Sequence, residues 1–139
     1  MCGIVGIYRF DNSKVNESEL KNFSNSLKHR GPDADGIYIN NDKNLGLGHR
    51  RLSILDTTSL ANQPMFYGHD RYVIVFNGEI YNFLELRSQL KELGYKFRTT
   101  GDTEVILASF IEWGESCQLK FNGMWAFAIW DNKNKSLFL

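Results

Sequence analysis

Two of the gaps between strand-like runs in this sequence are too short to carry a chain back across a sheet. Residues 36–40 and 45–54 both read as strands, and only the turn-forming Asn41-Asp42-Lys43-Asn44 separates them. Near the end, residues 124–130 and 136–139 flank Asn132-Lys133-Asn134 in the same way. A parallel crossover needs about a dozen residues or more, so these pairs are expected to be antiparallel. Further strands are expected at 3–9, at the β-branched and aromatic run 72–76, and at 95–97. Trp125, Phe127 and Ile129 alternate with Ala126, Ala128 and Trp130, as in a strand buried on both faces.

Helical signals interrupt these runs. Asn16 begins one helix with Glu19 in the capping-box place, Leu20, Phe23 and Leu27 share a face, and Gly31-Pro32 stops it. Asn82 and Glu85 repeat the pattern ahead of Phe83, Leu86, Leu90 and Leu93, with Gly94 beyond. Asp102 suits the N-cap of a third helix reaching about Trp113. A polar turn is expected at 11–13 and an aperiodic loop at 57–64. The sum is an α+β domain with mostly antiparallel pairing.

The 139 residues suffice for one domain with a real core, and 42% hydrophobic with 23% charged residues marks an ordinary globular protein. Sixteen basic side chains balance sixteen acidic ones without a Lys/Arg-rich run, which disfavours nucleic acid as a partner. Cys2 and Cys117 build no disulfide framework and no Cys/His cluster has zinc spacing, so no metal site is expected. The apolar run at 4–8 lacks the leader and cleavage site of a signal peptide, and no stretch approaches the roughly 20 apolar residues of a membrane span. Gly3 stands one place too late for myristoylation. No membrane association and a cytoplasmic location are the expectations.

Cys2 follows the initiator methionine directly. Removal of Met1, which a small second side chain generally permits, puts a thiol and a free α-amine on the same carbon. An α-amine with a pKa near 7.7–8.0 can accept the proton of a thiol near 8.5, so one residue supplies both nucleophile and base. Alone, Cys2 reads equally as an incidental small residue. Asn77-Gly78-Glu79 directly follows the run 72–76, where an Asn-Gly turn would offer a side-chain amide and a backbone N–H as a two-donor oxyanion hole. Strand alternation puts Arg51 and Ser53 on one face, and a guanidinium at a pocket edge can hold a carboxylate through two parallel hydrogen bonds. Asp102 reads as a helix cap or as the partner of a substrate ammonium.

Met1-Cys2-Gly3-Ile4, His29-Arg30-Gly31-Pro32-Asp33, Arg51-Leu52-Ser53-Ile54-Leu55-Asp56, Asn77-Gly78-Glu79-Ile80-Tyr81-Asn82 and Gly101-Asp102-Thr103-Glu104 occur in this order. Together they resemble the amidotransferase half of glutamine-hydrolysing asparagine synthetases, members of the N-terminal-nucleophile (Ntn) hydrolases, over the whole chain. Glucosamine-phosphate synthases and phosphoribosyl amidotransferases also begin Cys-Gly and carry His-Arg-Gly. The following Pro-Asp and the Arg-Leu-Ser-Ile run resemble the asparagine synthetase branch. The resemblance implies a four-layer αββα sandwich with two antiparallel sheets. It gives Cys2 the attack on the glutamine carboxamide and Asn77 and Gly78 the oxyanion. Arg51 would hold the α-carboxylate, Asp102 and Glu79 the α-ammonium, and backbone groups around Leu52, Ile54 and Gly78 the rest of the substrate.

The resemblance further implies ammonia transfer to a C-terminal synthetase domain that uses ATP and Mg to amidate aspartate, with a homodimer as a compatible assembly. No cofactor is expected in residues 1–139, which read as a single glutaminase domain. No Ser-Gly-Gly pyrophosphate loop or Gly-rich phosphate loop is present in the sequence, and the last strand runs out at Leu137-Phe138-Leu139 without a polar tail. A domain cut from a longer chain, with an apolar patch where its partner packed, is the expectation. Competing readings are a catalytically silent amino-acid-binding or regulatory domain, the amidotransferase half of a relative acting on another carboxylate such as a sugar acid, and a module palmitoylated at Cys2. His29, with the rest of its His-Arg-Gly-Pro-Asp segment, is read as a helix stop that positions the neighbouring chain, His49 as support beside Arg51, His69 as a surface loop residue, and Cys117 as structural.

Overall fold

A computed structural model describes residues 1–11 and 13–139. The chain runs β1 (Gly3–Tyr8), α1 (Glu17–Ser26), β2 (Ala34–Ile39), β3 (Leu45–Arg51), β4 (Met65–Tyr67), β5 (Tyr72–Ile80), α2 (Phe83–Glu92), α3 (Thr103–Trp113), β6 (Gly123–Asp131) and β7 (Ser136–Phe138), with 3-10 turns at Ser59–Ala61 and Gly114–Lys120. One sheet has the order β1-β3-β2 and the other β4-β5-β6-β7. Every described pairing is antiparallel, including the β2–β3 and β6–β7 hairpins that the short connections require.

Strand alternation builds three apolar layers between these elements. Val5 of β1 joins Val15 and Leu20 under α1. Leu45 and Leu47 of β3 meet Val73 and Val75 of β5 and Ala128 and Trp130 of β6 between the two sheets. The opposite face of β5, with Ile74, Phe76 and Ile80, packs on Leu86 and Leu90 of α2 and on Val105, Ile106, Leu107 and Ala108 of α3. The order of layers is therefore α1, sheet, sheet, α2 with α3, the αββα sandwich implied by the sequence resemblance.

Several local expectations are corrected. Asn16 does cap α1, but it accepts from Ser18 N–H, while Glu19 pairs with Arg9 and closes no capping box. Phe23 is exposed and Ser24 takes the buried place beside Leu20. Asn82 makes no cap; its side chain bonds Lys120 O and Asn122 N–H instead. Residues 95–97 form no strand, although Tyr95 and Phe97 pack against the core. Strand β4 forms directly after the loop expected at 57–64, in residues the sequence signals assign to no element, and β6 is buried on both faces only from Phe127 onward. The turn expected at 11–13 has its middle residue, Asn12, outside the described residues, while Ser13 N–H bonds Asp11 Oδ1 at 3.0 Å. Where β1 and β7 border the sandwich, an apolar cleft of about 270 Å³ opens between the sheets, lined by Ile4, Tyr8, Leu45, Leu47, Leu137 and Leu139 among others. Among the described residues no helix is long and apolar enough to cross a membrane.

Candidate active site

The alternation that buries Leu45 and Leu47 between the sheets continues along β3 to His49 and Arg51, and on β5 the same face passes from Val73 and Val75 to Asn77. Cys2 stands two residues before Ile4, which also packs toward that layer. The inter-sheet layer thus changes from apolar to polar at one end of the sandwich. There a cavity of about 290 Å³ is lined by Cys2, Arg51, Leu52, Ile54, Asn77, Gly78, Glu79 and Asp102, together with Asp56, Gln63 and Thr103. That size is at the lower edge of ordinary small-molecule sites, roughly 300–1,000 Å³. All eight residues singled out in the sequence for catalysis or substrate binding meet at this one cavity.

Cys2 is half-buried, and its Sγ lies 3.4 Å from Leu52 N and 3.6 Å from Leu52 O. The Cys2 carbonyl accepts from Arg30 Nε at 3.0 Å. The His-Arg-Gly-Pro-Asp segment, read from sequence as a helix stop, therefore also holds the start of β1. A Cβ at Gly31 would stand 2.3 Å from Arg50 O, so only glycine lets this segment pass so close to β3. Asp33 Oδ2 then receives Ser53 N–H at 2.8 Å.

Asn77 and Gly78 lie inside β5, not in a turn after it, paired with Ala126 and Trp125. Backbone direction on this strand can be read residue by residue. Phe76 N–H bonds Gln63 Oε1 at 2.6 Å and Ile80 N–H bonds Asp102 Oδ2 at 2.9 Å, both on the β4 side, whereas Tyr81 N–H turns the other way to Asn122 O. Alternation sends Gly78 N–H to the β4 side as well, and β4 stops at Met65, opposite Ile74. Among the described residues nothing accepts this N–H. Asn77 Oδ1 is likewise buried without a partner. The strand end that the sequence suggested is in truth a strand whose neighbour ends.

Arg51 is buried, and its Nη1 donates to Thr58 O and Asn62 Oδ1, both at 2.8 Å, while Nη2 donates to Asp56 O. Of the five guanidinium donors, two stay uncommitted among the described residues. Asp102 heads α3 but does not cap it; its carboxylate turns to Ile80 N–H. Burial raises the Asp102 pKa against that hydrogen bond, and burial, then the Asp102 charge, raises Glu79. Two facing carboxylates disfavour their own charges and create a place for a cation.

The loops that carry these groups are tied by residues the sequence reading passed over. Asp56 Oδ1 accepts Thr58 N–H and Oγ1–H, and Oδ2 accepts Thr100 N–H and Oγ1–H. These bonds, that of Thr100 N–H foremost, hold the Asp56 carboxyl far below the usual range. Glu104, fully buried, gathers Arg98 N–H, Thr99 N–H and Thr99 Oγ1–H, and Arg87 binds Thr99 O and Gly101 O. The Asp-Thr-Thr run at 56–58 is an Asx-turn signature that could have flagged Asp56. His49 is buried with Nε2 3.1 Å from Phe76 O, and burial pulls its pKa down to about 4. His29 and His69 are exposed. Cys117 is fully buried and its thiol is pushed up to about 11, as a structural cysteine would be.

The sequence profile of the glutamine amidotransferase domain matches residues 1–139. The chain belongs to this family. A glutamine-hydrolysing asparagine synthetase of Bacillus subtilis (number 1) is 41% identical, over 99% of this chain and 22% of that protein. Asparagine synthetase 2 of Oryza sativa is 40% identical, over 98% of this chain and 22% of that protein. The amidotransferase domain described here thus spans about a fifth of the length of these relatives. A solved glutamine phosphoribosylpyrophosphate amidotransferase of Bacillus subtilis superposes with a TM-score of 0.75 over 93% of this chain and 35% of that one, at 20% identity. That likeness establishes the shared fold. The resemblance to the amidotransferase half of asparagine synthetases, drawn from five short motifs, holds across nearly the whole chain.

Proposed function

We propose that this domain hydrolyses glutamine to glutamate and ammonia through a γ-glutamyl thioester on Cys2. Supporting this reading is one observation above the rest: an uncommitted backbone N–H at Gly78 and the Asn77 amide border the same cavity as the Cys2 thiol. With Met1 removed, the Cys2 α-amine takes the thiol proton and Sγ adds to the side-chain carbonyl of glutamine. Negative charge then develops on the carbonyl oxygen, where Asn77 and Gly78 donate; one such donor contributes roughly 3–4 kcal/mol. The ammonium of Cys2 protonates the departing nitrogen, ammonia leaves, and water activated by the same amine releases glutamate.

Substrate selection follows from charge. The two free donors of Arg51 suit an α-carboxylate, and Asp102 with Glu79 suits an α-ammonium. The named relatives support a longer protein in which ammonia passes to an ATP- and Mg-dependent synthetase domain that amidates aspartate. Purified protein given glutamine should release glutamate, and Cys2→Ala should release none. Equal release from both, or full activity in protein whose intact mass retains Met1, would overturn the mechanism.

A further inference from the structure

Among the described residues, the part of β5 that carries Asn77 and Gly78 has no strand beside it on the β4 side, and two buried side chains stand in its place. Beyond Ile74, the last residue paired with β4, Phe76 turns both its N–H and its carbonyl outward. Gln63 Oε1 accepts the N–H at 2.6 Å, and His49 Nε2 donates to the carbonyl at 3.1 Å. The acceptor is a carbonyl, so the tautomer is fixed: Nε2 carries the hydrogen and Nδ1, buried and unpartnered, does not. Gln63 Nε2 reaches on to Thr103 Oγ1 at 3.4 Å, next to Asp102. Gln63 is 7% exposed and His49 1%.

We propose that Gln63 and His49 are positioning residues for the oxyanion donors. This rests on the glutaminase reading above. Saturating both outward groups of Phe76 fixes the peptide planes that lead into Asn77. It leaves the next outward N–H, at Gly78, as the free donor on this edge. His49 links that edge to β3, which carries Arg51; Gln63 links it to the start of α3, which carries Asp102. The nucleophile side and the substrate-binding side are thereby held to one strand. A displacement near 1 Å at such donors costs on the order of 100-fold in rate, so two supports that act through the Phe76 peptide groups govern the chemical step.

The test uses Gln63→Met, which removes the acceptor at nearly constant volume, His49→Phe, which removes the donor, and His49→Gln, which keeps one. In Gln63→Met and His49→Phe, kcat for glutamine hydrolysis should fall roughly 10- to 100-fold while KM stays within about threefold, because the lost alignment acts on the transition state. Affinity for glutamate γ-semialdehyde, whose adduct with the Cys2 thiol bears the oxyanion, should weaken in step with kcat, and His49→Gln should recover most of both. The amide resonance of Gly78 in ¹⁵N–¹H spectra should move in Gln63→Met and His49→Phe and stay in His49→Gln. Folded variants with an unmoved Gly78 resonance, or with unchanged kcat in an active parent, overturn the positioning role. A parent protein without glutaminase activity whose Gly78 resonance still moves overturns the glutaminase reading instead.

Discussion

A Cβ at position 78 would stand 2.3 Å from Met124 O and 2.7 Å from Trp125 Cα, which are backbone atoms of the neighbouring strand and cannot rotate away. The glycine is there for close approach between β5 and β6, not for a turn conformation. From the sequence alone, Asn-Gly after a β-branched run reads as a turn, and only the partner strand shows otherwise. Gly78→Ala should therefore push β6 outward, costing about 1–3 kcal/mol of stability. It should also displace the free N–H, so glutamate release should fall by more than the loss of folded protein explains. Urea unfolding and a glutaminase assay on the same preparation separate the two effects; a stable Gly78→Ala protein with parent activity would show that the two strands absorb the added Cβ without moving the N–H, and would overturn the close-approach account of this glycine. Cys2, Arg51 and Asp102 were legible because charge and nucleophilicity are properties of single residues. Gln63 was not, since its amide matters here through bonds to residues far along the chain; Asp56 was legible only as the start of a local turn with Thr58, not in its reach to Thr100.

At the level of elements, the secure expectations were those set by geometry: hairpins too short to cross over, and helices with a clear apolar stripe. Those that failed needed knowledge of neighbours. Residues 95–97 have the composition of a strand but join no ladder, Tyr95 N–H going to Leu90 O and Lys96 O accepting from the Tyr67 hydroxyl, and Asn82 has cap chemistry but serves Lys120 and Asn122. The segment 52–62, expected as strand up to 54 and as aperiodic loop from 57, leaves the sheet after Arg51, yet it is fixed, because Asp56 joins it to the segment 98–102. Four donors converge on that one carboxylate, so an amide is no substitute: its NH₂ would face an N–H and an O–H. Asp56→Asn and Asp56→Ala should both destabilise the protein by about 2–3 kcal/mol. Both should also raise KM for glutamine, since Arg51 and Asp102 lose their common anchor. Limited proteolysis should cut first within 52–62 in these variants. Parent-like KM in either one would show that the two loops hold their places independently.

Across the whole molecule, the site is built where a two-sheet sandwich trades apolar for polar side chains, so the site and the fold share groups, and acid should reveal this. His49 lies between the sheets, and burial, then the Arg51 charge, holds its pKa near 4 against the ordinary 6.5. Above pH 6.5 it is neutral whether folded or unfolded, and its full contribution is present. As the pH falls from 6.5 toward 4, the unfolded chain takes up a proton that the folded one refuses, so stability is lost, by about 2 kcal/mol at pH 5. Below 4 the folded histidine titrates as well and the loss levels off. Asp56 acts lower: its depressed pKa leaves its contribution intact above 3.8 and removes it at more acid pH. Glu79 and Asp102 oppose both, because their raised values let the folded state bind protons first and gain stability as the pH falls through them. The His49 part is isolated by comparing the parent with His49→Gln, which keeps a donor for Phe76 O but does not titrate. Urea unfolding at pH 7 and pH 5 should show the parent losing about 2 kcal/mol more than the variant, and equal losses would mean that His49 is free to protonate inside the fold.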